Sequence, residues 1–237
     1  MARHASVWPR AASELLDVQH ALAAAEPARW RPTAVAPKVG ACVVCFARGA
    51  TGAGAEGDPA WAAAAVLRGR RPLADSVVAG VGAAPYRAGL LALREGPLLQ
   101  AAVRALDIVP DVVLVDAAGR DHPRRAGLAL HLGAALDAPT VGVTHRPLLA
   151  HGAWPGDARG ARSPLLLDGE CVGAWLRTRR GARPLAVHPG WRTDVEVAVE
   201  VVLAAGDGHR TPRPLRHARR LARMARARGE LEARARS

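Results

Sequence analysis

The sequence predicts an α/β protein built on a mixed sheet, and three observations carry that reading. Short apolar runs bounded by Gly- or Pro-containing loops alternate with stretches of helical periodicity. Three strand-like segments, VGACVVCFA (39–47), AWAAAAVLRG (60–69) and DSVVAGVGA (75–83), precede the first β-α-β crossover, which an all-parallel doubly wound sheet would not show. The run VVLVD (112–116) is four apolar residues ending in an acid, as a buried parallel strand reads where it meets its loop.

Taken in order, residues 11–25 place Leu15, Leu16, Val18, His20, Ala21 and Leu22 at near-helical spacing, and a Pro-containing linker follows over 26–37. The first two strands are joined by the Gly-rich loop 49–58 and read as a hairpin. After the third run and the loop 84–89 comes LLALREGPLLQAAVRAL (90–106), helical in its later half with Pro97 tolerated near the helix start. The strand VVLVD leads through an acidic, Gly-containing loop into the helix RAGLALHLGAAL (125–136), and residues 139–143 form the next strand. Residues 151–164 read as an irregular insert, and PLLLDGECVGAWLRT (164–178) as a hairpin turning at Asp168-Gly169. Thr193 and Glu196 have the spacing of a capping box opening the helix over 194–205. No internal repeat is visible.

A chain of 237 residues buries one substantial core, so one domain over 1–225 is expected, with a basic, partly disordered helical arm over 210–237 overlapping its end. Two readings of that arm stay open: a nucleic-acid-contacting tail, or a solvated terminal helix that frays. Lys38 is the only lysine, and the arginine bias is also what a GC-rich genome produces. The formal net charge of +12 still favours polyanionic partners through phosphate contacts. Three cysteines and no signal-peptide pattern point to a reducing cytoplasm. Cys42 and Cys45 look like half a zinc knuckle, but no second pair exists and residues three apart on a strand point to opposite faces. No apolar run reaches membrane-spanning length, so a soluble protein without a membrane partner is expected.

The segment 112–144 carries the chemistry. Asp116 falls at the carboxyl end of a strand, where ligands gather in open α/β sheets, and its loop holds His122, Arg124 and Arg125. An acid, a histidine and two guanidinium groups suit a metal ion working on phosphate.

The strings PYRAGLLALREGPLL, PDVVLVDAAGRDHPRRAGLALHLG, DAPTVGVTHRPLL and LLLDGECVGAWLRTRRGARPLAVHPGWRTDVEVAVEVVL resemble, in order and spacing, the successive motifs of endonuclease V; the opening WPRAASELLDVQHALAA resembles that family's N-terminal helix. The resemblance runs over about residues 8–225. It implies a ribonuclease H-like fold, a central mixed five-stranded sheet with helices on both sides. It further implies a monomer that cuts DNA or RNA on the 3′ side of deaminated adenine (inosine) with Mg2+ or Mn2+, two ions about 4 Å apart clamping the attacked phosphate.

Carried over by position, Glu95 and Asp116 match metal carboxylates with catalytic roles, and His122 matches a histidine near the metal. Pro85 and Tyr86 match the wedge that inserts beside the lesion. Gly89, Leu91, Ala117 and Gly119 fall where members line the pocket for the flipped base; Arg124 and Arg125, read from their place beside the acid, are expected to contact nucleic acid.

The departures bear on activity. The first-strand aspartate of the family is here Val43, its lysine after the TxGV strand is His145, the histidine of its PGH string is Trp191, and the histidine of its DGHG loop is Ala118. Losing a carboxylate removes a charge and up to two oxygen donors that hard cations need, which thiolates of Cys42 or Cys45 replace poorly. Glu56, Asp58 and Asp121 are the acids near enough in sequence to stand in. Two functions follow: a divergent nuclease with a compromised metal site, or a pseudo-enzyme that binds deaminated nucleic acid without cutting it.

Overall fold

The structure is a computed structural model and describes residues 8–34, 36–48 and 54–235. Its elements in chain order are α1 (Ala12–Ala24), β1 (Lys38–Phe46), β2 (Pro59–Arg68), β3 (Arg71–Val81), α2 (Leu91–Arg104), β4 (Val112–Val115), α3 (Leu128–Leu136), β5 (Thr140–Thr144), β6 (Arg162–Leu167), β7 (Glu170–Leu176), β8 (Leu185–Pro189), α4 (Val195–Ala204) and α5 (Arg213–Ala235). Part of the expected hairpin loop, residues 49–53, lies outside the described residues.

One mixed sheet runs in the order β3-β2-β1-β4-β5-β8-β7-β6. The contiguous stretch β3-β2-β1-β4-β5 supplies five strands, as expected; β8, β7 and β6 extend it to eight. β1, β4 and β5 are mutually parallel, and the remaining neighbours pair antiparallel.

Strand alternation divides the core between the two faces. Ala41 and Val43 of β1 and Leu114 of β4 pack with Val197 and Val201 of α4 and with Leu215 and Ala218 of α5. Cys42, Val113 and Val115 pack on the other face with Leu99 of α2 and Leu128 and Leu132 of α3. Helices therefore cover both faces, and the carboxyl ends of β1 and β4 open side by side between the layers.

Three expectations change. Helix α2 begins at Leu91, so Pro97 lies inside it rather than near its start. Near the proline the Arg94 carbonyl accepts from Ala83 N at 3.2 Å, which ties the helix to the loop after β3. The N-cap of α4 is Asp194, whose side chain accepts from Val197 N at 2.9 Å; Thr193 instead donates its hydroxyl to the Thr140 carbonyl at 2.7 Å. The basic C-terminal segment is a 23-residue helix seated on the sheet against β1 and β2, burying Pro214, Leu215, Ala218 and Ala222.

Candidate active site

The parallel ladder between β1 and β4 ends at the pair Cys42 and Val115. One residue further, Val43 and Asp116 stand side by side, so the position where a second strand-borne acid was looked for holds a buried isopropyl group, 4% exposed. Glu95, on α2, completes the neighbourhood. Burial, and after it the charge of Asp116, push the Glu95 carboxyl up to about 7, which leaves it near half-protonated at neutral pH. The Cys42 thiol is pushed far up by burial and then by the charges of Asp116 and Glu95. It is a neutral packing group between two acids and no metal ligand. Asp116 itself is engaged: Arg219 of α5 donates to its Oδ2 at 2.7 Å.

Beside Asp116 opens a cavity of ≈ 230 Å³ lined by Tyr86, Gly89, Leu91, Ala117, His122 and Leu148, among others. That is roughly eight times one water's share of liquid volume, the scale of one heterocyclic base. Tyr86, the only tyrosine, stands at its mouth with 46% of its surface exposed.

The wall is held by one carbonyl. Gly89 has φ +76°, a conformation that costs a residue with a Cβ about 1 kcal/mol or more, and it turns its carbonyl toward three donors. These are Gln19 Nε2 at 3.2 Å, Arg124 Nη2 at 2.8 Å and His122 Nε2 at 3.1 Å. The Arg124 N–H donates to His122 Nδ1 at 3.2 Å, which fixes the Nε2–H tautomer and leaves neither ring nitrogen free for a metal. Burial first, partly opposed by the bond to Gly89, lowers the imidazole to about 4, so it is neutral.

Other candidate residues fall elsewhere. Arg124 also bonds Gln19 Oε1 at 2.5 Å, and Arg125, at φ +55°, reaches Leu167 O at 2.9 Å and Asp168 at 3.1 Å. Both guanidinium groups tie loops together and neither lines the cavity. Pro85 is exposed outside the cavity lining. Gly119 lies behind the wall, where a Cβ would collide with the Pro189 carbonyl. His145 is exposed, and its imidazole is lowered by burial and then by Arg210, while Asp116 acts to raise it. Trp191 lines a different cavity together with Arg120 and Arg192.

Of the three stand-in acids, Asp121 is fully buried and accepts from the N–H groups of Leu148, Leu149 and Ala150 at 2.6, 2.9 and 2.7 Å. Asp58 is paired with Arg94 at 2.7 Å, and Glu56 is exposed in a separate pocket with Trp8.

The sequence model of Endonuclease V matches residues 39–220. This chain belongs to the endonuclease V family. The endonuclease V of Myxococcus xanthus is 43% identical over 147 residues, 62% of this chain and 63% of that protein, so the chain matches under two thirds of that relative's length. Among solved structures, endonuclease V from Streptomyces avermitilis superposes with a TM-score of 0.83 at 32% identity, covering 94% of this chain and 96% of that one. The Ciona intestinalis endonuclease V, in complex with a 24mer DNA containing an inosine followed by a ribo-adenosine, has a TM-score of 0.74 at 20% identity, covering 90% and 96%. The fold is accordingly ribonuclease H-like.

The resemblance implies a metal-dependent nuclease, and the described residues of this chain do not fit a metal centre. Among the described residues no group of three or more His, Cys, Asp or Glu side chains is placed to hold an ion. The two acids that remain are Glu95 and an Asp116 already paired with a guanidinium.

Sequence reasoning missed Arg219, Gln19 and Arg94. The Arg94 guanidinium is buried (4% exposed), lies 4.0 Å over the Phe46 ring and donates to the Ala55 and Ala84 carbonyls at 2.5 and 2.8 Å, so it anchors the chain entering Pro85 and Tyr86. A charged residue inside an apolar helix face was the available signal for Arg94.

Proposed function

We propose that this endonuclease V chain recognises deaminated, inosine-containing DNA or RNA, and that phosphodiester hydrolysis 3′ to the lesion is strongly weakened. One observation carries the reading: a base-sized cavity with an exposed tyrosine at its mouth adjoins an acid pair that lacks its third carboxylate. The small residues of the wall, Gly89, Ala117 and Ala118, let backbone come close to the edge of an extruded base. Extrusion costs only a few kcal/mol, and least for a poorly paired lesion, so a fitted pocket selects such a base. The DNA complex of the Ciona relative supports the choice of inosine. Tyr86 offers a stacking face, and the net charge of +12 draws the phosphate backbone whatever its sequence.

A functioning hydrolase is the second reading, favoured by the charge of Asp116 still acting on Glu95. Recognition is tested by fluorescence anisotropy with labelled single-stranded oligonucleotides carrying inosine or adenosine at one position. The expected result is tighter binding of the inosine strand, with Tyr86→Ala weakening it about 10- to 100-fold, as a stacking contribution of about 1–3 kcal/mol dictates. Equal affinity for both strands would overturn the reading.

A further inference from the structure

The contact between Arg219 and Asp116 joins residues 103 positions apart and sits where an acid site needs a cation. The helix that bears Arg219 is anchored on either side of it, since Ala218 and Ala222 are fully buried against the sheet. The guanidinium is therefore tethered beside the carboxylate, 2.7 Å away, at the high effective concentration of an intramolecular partner. It is also a fixed positive charge at any accessible pH.

Arg219 does not stand alone. Arg223 and Arg226, the next positions along the same side of α5, act with it on the Cys45 thiol at the end of β1. Arg223 is exposed and lines a surface cleft with Arg216 and Arg220. A divalent ion approaching Asp116 meets this row of cations, one of which already holds Oδ2.

We propose that Arg219 is an internal counter-cation that takes the place of a metal at Asp116, so that nucleic acid is held here without a divalent ion. Val43 and Arg219 together account for the misfit of the metal: one withholds a carboxylate and the other occupies one of the two that are left. The inference deepens the functional reading and rests on it only for the identity of the site.

The test is Mn2+ titration of the full chain in the absence of nucleic acid, followed by electron paramagnetic resonance of the free ion, so that its failure is distinct from a failure of inosine recognition. Four forms are compared: wild type, Asp116→Ala, Val43→Asp, and Val43→Asp with Arg219→Gln. Circular dichroism serves as the check of folding, and Arg219 is a partly exposed side chain whose loss leaves the buried helix face intact. Wild type is expected to take up no more Mn2+ than Asp116→Ala. The double variant is expected to bind at least 10-fold more tightly than Val43→Asp alone, because only there is Asp116 released. Equal affinity of those last two forms, including no binding by either, would overturn the proposal. Uptake by wild type that Asp116→Ala abolishes would overturn it too.

Discussion

At the scale of single residues, the chemistry of this site is decided by which polar groups are already committed. Arg94 is the example with the widest reach, because its one guanidinium ties the Ala55 and Ala84 carbonyls and Asp58 across an element boundary. Arg94→Met is expected to leave the Ala84 carbonyl unpaired at a cost of about 1–3 kcal/mol, read as a lower urea midpoint. It is also expected to weaken inosine binding by loosening the chain that carries Tyr86. Arg87→Met, at an exposed position on the same loop, is the matched control and should leave the midpoint unchanged. An unchanged midpoint for Arg94→Met would show that the loop is held by other contacts.

Some residues of the site were legible and others were not, for definable reasons. Asp116 shows in the sequence because an apolar run ending in an acid has one common structural meaning. The missing acid at Val43 shows only through the resemblance to the family's first-strand motif. Arg219 does not show, since nothing in an arginine-rich helical pattern says which guanidinium reaches an acid 103 residues away. Arg124 and Arg125 are legible as cations beside the acid, while their hydrogen bonds to Gln19, Gly89, Leu167 and Asp168 are not.

Elements were legible where their periodicity was clean. β4 and α3 stand out, whereas β8 escaped notice: LAVHP is five residues, buried throughout, with no alternation to mark it and a proline at its end. The start of α2 was obscured by Pro97, which reads as a boundary although the helix absorbs it.

Packing between elements carries a pH dependence of its own. His131 of α3 is 3% exposed, stacks on the Trp8 ring with centroids 4.3 Å apart, and has no hydrogen-bond partner for Nδ1 among the described residues. Burial lowers its imidazole to about 4. The unfolded chain therefore binds this proton more readily, and the stability that the neutral ring provides is present above about 6.5 and lost as pH falls toward about 4. His122 and His188, also lowered to about 4 mainly by burial, act in the same direction. In urea unfolding between pH 6.5 and 4.5, His131→Gln is expected to reduce the slope of stability against pH by up to one proton, about 1.4 kcal/mol per pH unit. A variant with the wild-type slope would mean that the ring is charged or solvated in the folded state.

At the scale of the molecule, the fold and the site have separate fates. The mixed sheet, the helices on both faces and the crossover that sets β1 beside β4 keep the geometry of the family, and none of these depends on the acids at their carboxyl ends. Removing like charges from a half-buried site relieves repulsion and desolvation, so a scaffold of this kind tolerates losing its metal ligands. The identity of the family follows from strings of residues spread along the chain, while the proposed loss of hydrolysis turns on two positions, Val43 of β1 and Arg219 of α5.

The most direct test is single-turnover cleavage of end-labelled inosine-containing single-stranded DNA, duplex DNA and RNA in Mg2+ or Mn2+, with Glu95→Ala/Asp116→Ala as the contamination control. The account predicts that wild type nicks none of them faster than the control. Metal-dependent nicking 3′ to inosine by wild type, absent from the control, would contradict it and show a hydrolytic centre working without the first-strand acid.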